Sequence, residues 1–230
     1  TKHLLDQLLL KVPSITTLLF TINSKWNDSI YDLTPQTYYG KGFITEQLED
    51  FRFKISPKSF FQTNTKQAEK LYTVTRDFAG LTGNEVVYDL YCGTGSIGIF
   101  VSKNAKKIIG VEVIEDAIAD AKENAAINNI EHTHFFAGDV ITICDDAFFA
   151  QHGKPDVIIT DPPRAGMHED VTTCILNSGA DRIVYISCNP ATQARDINLL
   201  SEKYQLLKSQ PVDMFPHTHH VESVALLQLL

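Results

Sequence analysis

Val86-Val-Tyr-Asp-Leu-Tyr-Cys-Gly-Thr-Gly-Ser-Ile-Gly98 passes from an apolar run, through closely spaced glycines, into a second apolar pattern. Val86 to Tyr91 suits a buried strand, and Ser96 to Lys103 suits the helix that follows it. The same unit recurs downstream. Lys107 to Val113 reads as a strand followed by an alanine-rich helix from Ile114 to about Asn128. His134 to Ala137 and Pro155 to Thr160 read as strands, with helices at Asp145 to Gln151 and Glu169 to Asn177. Arg182 to Ile186 is another strand, broken by Ser187 to Pro190 before a helix that begins at Ala191. Alternation of this kind predicts an α/β fold, a mostly parallel Rossmann-like sheet with helices on both faces. The closing strands, Tyr204 to Val212 and Val221 to Leu230, have no helix between them, so the last of seven strands is expected to run antiparallel.

Residues 1–55 read differently, as a small α+β lead-in to a domain spanning 56–230. Leu4 to Val12 forms an amphipathic pattern that Pro13 ends, and Ile15 to Ile22 is rich in β-branched residues. Tyr31 to Gly42 is turn-rich, and Phe51 to Ile55 alternates apolar and basic residues as an edge strand does. Lys58-Ser-Phe-Phe-Gln-Thr-Asn64 then leads into a helix reaching about Phe78 and closed by Gly80 and Gly83.

At 230 residues and 43% hydrophobic, the chain can bury one sizeable core. No apolar run reaches the length of a membrane span and no signal peptide opens the chain, which reads as cytoplasmic. It begins at Thr1, which fits the carboxyl part of something longer. The four cysteines contain no C-x-x-C pair, which argues against zinc, an iron–sulfur cluster or a disulfide framework. A net charge of −8 does not advertise a nucleic-acid binder. Arg52, Lys54, Lys58, Lys66 and Lys70 do cluster, either as a solvated face or as a patch for phosphates.

Several stretches carry chemistry. Gly93, Gly95 and Gly98 fit G-x-G-x-x-G, and the next strand ends in Gly110-Val-Glu112. Glycines that admit a ligand to the backbone, paired with an acid for ribose hydroxyls, suit an adenosine cofactor. Alone, that pattern would equally serve a nicotinamide dinucleotide. Asp161-Pro-Pro-Arg-Ala-Gly166 follows a strand, where two prolines fix the backbone and point Asp161 at the cleft, or merely make a rigid capped turn. Cys188 sits where the Arg182–Ile186 strand gives way to a helix that Pro190 can open. That place favours a thiolate, although a lone free cysteine is more often structural. Adjacent Phe60 and Phe61 beside Gln62 and Asn64 suit either core packing or stacking on a base. Phe215-Pro-His-Thr-His-His-Val-Glu222 holds three histidines with no partner at usual metal-ligand spacing. Its Glu222 opens an apolar strand, as a solvent-facing edge residue or as a functional carboxylate.

In order, F-F-Q-T-N, D-L-Y-C-G-T-G, G-V-E, D-P-P-R-A-G, S-C-N-P-A-T-Q-A-R-D and F-P-H-T-H-H-V-E make residue 56 to the end resemble the catalytic part of RNA (uracil-C5)-methyltransferases. The resemblance implies the class I S-adenosylmethionine-dependent methyltransferase fold and transfer of a methyl to C5 of a uridine, in rRNA ahead of tRNA. It implies Cys188 as nucleophile and Glu222 as base. It assigns Gln62, Tyr91, Glu112 and Asp161 to S-adenosylmethionine, with Ser96 and Asp139 as weaker additions. Phe60 would stack on the target uracil, with Asp161 and Arg164 also near the substrate. The family's RNA-binding β-barrel domain and its iron–sulfur cysteines have no counterpart in this chain. An amino-group methyltransferase sharing D-P-P is the nearest alternative, although Arg164 stands where an aromatic would be expected. A nicotinamide-dependent oxidoreductase would leave S-C-N-P and H-V-E without a task.

Overall fold

Two short ribbons precede the main sheet in the computed structural model, which describes residues 2–27, 32–143 and 145–230, Ile143 by its backbone only. Tyr31 and Cys144 fall outside those residues. Helix α1 (Lys2–Lys11) comes first, then β1 (Leu18–Phe20) pairs antiparallel with β2 (Gln36–Tyr39). β3 (Ile44–Leu48) and β4 (Phe51–Ile55) make a tight hairpin. The turn-rich reading of residues 31–42 therefore missed β2, and β3 was not foreseen. Both are short and polar, Q-T-Y-Y and I-T-E-Q-L, and expose most of their residues, so neither has an apolar signature.

β4 has β3 on one side only, and α4 (Glu115–Ile127) closes the other in an unusual way. The Asn124 amide accepts from the Lys54 N–H at 2.7 Å and donates to its carbonyl at 3.2 Å. Asn128 treats Arg52 alike, at 2.8 and 2.7 Å. Four helical residues rise about 6 Å and two strand residues about 6.6 Å, so the two ladders stay in register. The side chains stand in for a neighbouring strand and satisfy backbone groups that an open edge would leave bare.

Helix α2 (Thr65–Ala79) follows, capped by Asn64, whose side chain accepts from the Gln67 N–H, and ended by left-handed Gly80. Then come β5 (Val86–Leu90), α3 (Ser96–Val101), β6 (Lys107–Glu112), α4 and β7 (Thr133–Ala137). α5 (Val140–Ile143), a single turn that the sequence reading missed, precedes α6 (Asp146–His152) and β8 (Val157–Thr160). The chain finishes with α7 (Glu169–Ser178), β9 (Arg182–Ser187), α8 (Pro190–Leu200), β10 (Tyr204–Val212) and β11 (Glu222–Leu229).

The seven-stranded sheet has the order β10-β11-β9-β8-β5-β6-β7. β11 runs antiparallel to both of its neighbours, while β9, β8, β5, β6 and β7 pair in parallel. Alternate residues feed opposite faces. Val87, Ile108, Val157 and Val184 pack with Leu71, Phe100 and Ile118 of α2, α3 and α4. Tyr88, Ile109, Ile158 and Ile183 pack with Phe149, Val171, Ile175 and Leu200 of α6, α7 and α8. Leu48, Phe51 and Phe53 of the hairpin join the first of these clusters. No helix among the described residues is long and apolar enough to cross a membrane.

Candidate active site

Strand order reverses between β5 and β8, so a crevice opens at the carboxyl ends of the parallel strands there. Asp161 leaves β8 on that rim, its N–H 3.4 Å from the Leu90 carbonyl of β5. Cys188 leaves β9 directly after Ser187, which pairs with Ser223 of β11. Because β11 is antiparallel, its first residue, Glu222, arrives at the same edge. The inverted strand is what brings an acid from near the end of the chain beside the cysteine.

The motif that follows Cys188 is mostly scaffold. The Asn189 side chain caps α8 by accepting from the Ala191 N–H, and donates to the Arg164 carbonyl at 3.1 Å. Thr192 reaches the same carbonyl at 3.3 Å. Gln193, 4% exposed, donates to the Tyr185 carbonyl at 2.9 Å and the Ser223 carbonyl at 3.0 Å, tying β9 to β11. Asp196, fully buried, accepts from the Met167 N–H at 2.8 Å, from the Tyr185 hydroxyl at 2.7 Å and from Arg195. Arg195 in turn donates to the carbonyls of Ala165 and Met167. One buried polar helix face thus holds the Asp161, Cys188 and Glu222 segments together. Such a network stabilises only when every member is satisfied.

The other half of the rim belongs to β5 and β6. Tyr91 turns the chain with φ +63, an uncommon value outside glycine. Glu112 accepts from the Gly93 N–H at 3.2 Å and the Ile114 N–H at 3.0 Å. A Cβ on Gly95 (φ +74) would come within 2.8 Å of the Phe135 ring, and one on Gly98 within 2.9 Å of Asp89 Oδ2. Those two glycines therefore serve backbone turn and close packing within the fold, a role the ligand-approach reading of the pattern did not include. Tyr91, Glu112, Val113, Asp139, Val140 and Ile141 line a cavity of about 250 Å³. Ser96 lies at the first turn of α3, its hydroxyl 2.9 Å from that of Tyr72.

The Cys188 side is desolvated and acidic. Burial pushes the Cys188 thiol up, and the charges of Glu222 and Asp161 push it further, while Arg164 pulls it down. The expected thiolate-favouring influence of the helix terminus is outweighed by burial and two carboxylates. Burial, then Glu222, then Asp89 hold Asp161 well above the ordinary carboxylate range. Burial raises Glu222 as well. Asp89, fully buried beneath the rim, donates nothing and accepts from the Gly98 N–H at 2.9 Å. Burial raises its pKa to about 7.

The paired phenylalanines divide their labour. Phe61 is buried with its ring 5.6 Å from that of Phe53, while Phe60 is 72% exposed. Asn64 is structural, since besides capping α2 it donates to the Met214 carbonyl at 2.9 Å. Gln62 is buried, with no hydrogen bond among the described residues, in the wall of a second cavity. Within the basic cluster, Lys54 pairs with Glu123 and lies 3.9 Å from Asp120, and Lys58 lies 3.6 Å from Asp116. Lys66 and Lys70 are exposed and form no ion pair among the described residues. His219 and His220 stack at 4.2 Å between ring centroids.

A family model described as tRNA (Uracil-5-)-methyltransferase matches residues 36–140 and 149–229. An uncharacterised RNA methyltransferase of Bacteroides thetaiotaomicron is 57% identical over 228 residues, 99% of this chain and 50% of that protein. One from Porphyromonas gingivalis is 56% identical over 219 residues, 94% of this chain and 47% of that protein. The crystal structure of Pyrococcus abyssi tRNA (uracil-54, C5)-methyltransferase in complex with S-adenosyl-L-homocysteine is 34% identical, with a TM-score of 0.81. It covers 95% of this chain and 52% of that one. The M. jannaschii tRNA m1G37 methyltransferase, at 17% identity and a TM-score of 0.64, shares the fold alone. The chain spans about half the length of the curated relatives it matches.

Proposed function

Because the chain belongs to the tRNA (uracil-5-)-methyltransferase family, we propose that it is the catalytic part of an enzyme that methylates C5 of a uridine in RNA. Its fold is the class I S-adenosylmethionine-dependent methyltransferase fold, with a seven-stranded sheet and an antiparallel last strand. Residues 1–55 are a lead-in and 56–230 the catalytic domain. Segments beyond this chain would supply further RNA contacts.

The observation that carries the reading is the convergence of Cys188, Glu222 and Asp161 on one rim, beside the cavity that Glu112 lines. That cavity fits the adenosine end of the cofactor: it offers a carboxylate for ribose hydroxyls, flanked by the small glycine turn. Tyr91, Glu112 and Asp139 would hold this end, with Ser96 and Asp161 further along the cleft, while Gln62 stands in the wall of the other cavity. When bound, S-adenosylmethionine supplies a methyl on a sulfonium, which C5 can take up as the neutral thioether leaves.

The chain's own residues prepare the substrate for that transfer. Carbon 5 of uracil is a weak nucleophile until a thiolate adds to C6 and moves the double-bond electrons toward C5 and O4. Cys188 is placed to make that bond. Burial and two carboxylates favour the protonated thiol, so the reaction begins with loss of that proton to solvent, in surroundings where Arg164 alone of the charged neighbours named above favours the anion. After methylation Glu222 accepts the C5 proton, the double bond reforms and the Cys188–C6 bond breaks. Exposed Phe60 offers a ring on which a flipped uracil can stack, and Asp161 can meet its N3 edge.

RNA carrying 5-fluorouridine tests the reading, since fluorine cannot leave C5 as a proton. A stable covalent adduct is expected with Cys188 present and none with Cys188→Ala, read by denaturing gel and mass spectrometry. An intact chain that methylates RNA yet leaves no adduct would eliminate the cysteine's role and favour an amino-group methyltransferase. The resemblance puts rRNA ahead of tRNA; the Pyrococcus neighbour, a tRNA (uracil-54, C5)-methyltransferase, favours tRNA as a second reading. Loss of one 5-methyluridine from rRNA or tRNA on deleting the gene would decide between them.

A further inference from the structure

A second cavity, of about 390 Å³, lies where the lead-in meets the F-F-Q-T-N segment. Its volume is within the range of small-molecule sites. Leu19, Phe43, Ile55 and Phe61 supply apolar lining, and Glu46 and Gln62 supply polar groups. Flat apolar surface with a polar edge suits a nucleobase better than an aliphatic ligand. The Phe43 ring has the Lys54 ammonium 5.1 Å and the Lys41 ammonium 6.0 Å from its centroid. Lys54 is held by Glu123 and Asp120, so Lys41 is the cation left beside the aromatic for the phosphate of a stacked base.

Glu46 narrows the choice of base. A carboxylate has only acceptors, and one of its oxygens already takes the Thr65 hydroxyl at 3.2 Å. The other oxygen wants an N–H donor. Adenine, cytosine and guanine present an exocyclic amine at the base edge, whereas uracil offers only a ring N3–H set between two carbonyl oxygens, which a carboxylate disfavours. The cavity also touches the catalytic rim through the chain: Asn64, two residues after Gln62, donates to the Met214 carbonyl that precedes the Glu222 loop.

We propose that this cavity receives a second nucleobase of the RNA, close in sequence to the target uridine and bearing an exocyclic amine. The proposal rests on reading RNA as the substrate. It gives the lead-in a task, recognition of sequence context, while Cys188 and Glu222 perform the chemistry on uracil.

Fluorescein-labelled hexameric RNAs test it. Each carries one 5-fluorouridine in a uridine background, with adenosine, cytidine, guanosine, uridine or an abasic residue at one other position in turn. Binding is read by fluorescence anisotropy with S-adenosylhomocysteine present. At least one amine-bearing hexamer should bind about tenfold more tightly than the uridine and abasic hexamers, the size of one stacked base. Phe43→Ala and Glu46→Gln should each erase that preference, leaving uridine-hexamer affinity and stabilisation by S-adenosylhomocysteine unchanged. Glu46→Gln keeps an oxygen for Thr65, so its melting temperature should match the unaltered chain. Equal binding of all hexamers, binding of none, or a preference that survives both substitutions would overturn the proposal. The adduct on the same hexamers reads the catalytic assignment separately: base preference without adduct sinks Cys188 alone, and adduct without preference sinks the cavity alone.

Discussion

On the β6 side of the cleft, Glu112 accepts backbone N–H bonds from Gly93 and Ile114. On the β8 and β11 side, the Asp161 and Glu222 side chains accept none among the described residues. Burial lifts the latter two toward their protonated forms. A carboxylate presented with donors already aimed at it is suited to bind ribose hydroxyls, a task that needs no change of protonation. A carboxylate stripped of partners is suited to exchange protons. On the proposed reading, the acid assigned to the cofactor, Glu112, and the acid assigned as base, Glu222, stand in different surroundings only a few strands apart.

Replacing the acids one at a time should expose this division. Glu222→Gln has the largest expected effect: adduct with 5-fluorouridine RNA still forms, while turnover on normal RNA falls by about 10²–10⁴-fold. Normal turnover in that variant would place the base elsewhere. Glu112→Ala should act on binding instead, reducing S-adenosylhomocysteine affinity by roughly tenfold to a hundredfold, about one lost charge-assisted bond. Isothermal titration calorimetry reads that loss, and NAD binding in its place would revive the oxidoreductase reading. The smallest effect concerns Asp89, whose folded pKa of about 7 lies above its unfolded value. The folded state then holds the extra proton, so stability is greatest below the ordinary carboxylate range and declines as pH rises through about 7. Asp89→Asn should lessen that decline by up to roughly 1.4 kcal/mol per pH unit. Asp161 and Glu222 contribute with the same sign, so the slope persists in part. Urea melts across the pH range would show it, and an unchanged slope would mean that Asp89 is charged when folded.

Much of the sheet was legible because buried parallel strands announce themselves as apolar runs, V-V-Y-D-L or R-I-V-Y-I, between turn residues. The short β2 and β3 were not, since they gain their stability from partners distant in sequence rather than from local pattern. S-C-N-P-A-T-Q-A-R-D located the rim, yet sequence could not reveal that Gln193 and Asp196 are buried or that Gln193, Arg195 and Asp196 bond to groups within the fold. Their importance is in the carbonyls and amides they reach across the fold. The same limit applied to Phe60 and Phe61: adjacent and chemically alike, they differ only in which one Phe53 covers. Asn124 and Asn128 gave no signal at all, because an amide that mimics a strand looks like any polar residue on a helix.

The inverted β11 has a consequence for biosynthesis. The strand occupies an interior place in the sheet, between β10 and β9, and its first residue is the acid assigned to finish the reaction. A polypeptide that stops before Glu222 would leave a gap between two existing strands as well as an empty catalytic position. Nascent and prematurely terminated products would therefore be misfolded and inert together. On the proposed function, the Cys188–Glu222 site would be assembled only once the ribosome has released nearly the whole domain.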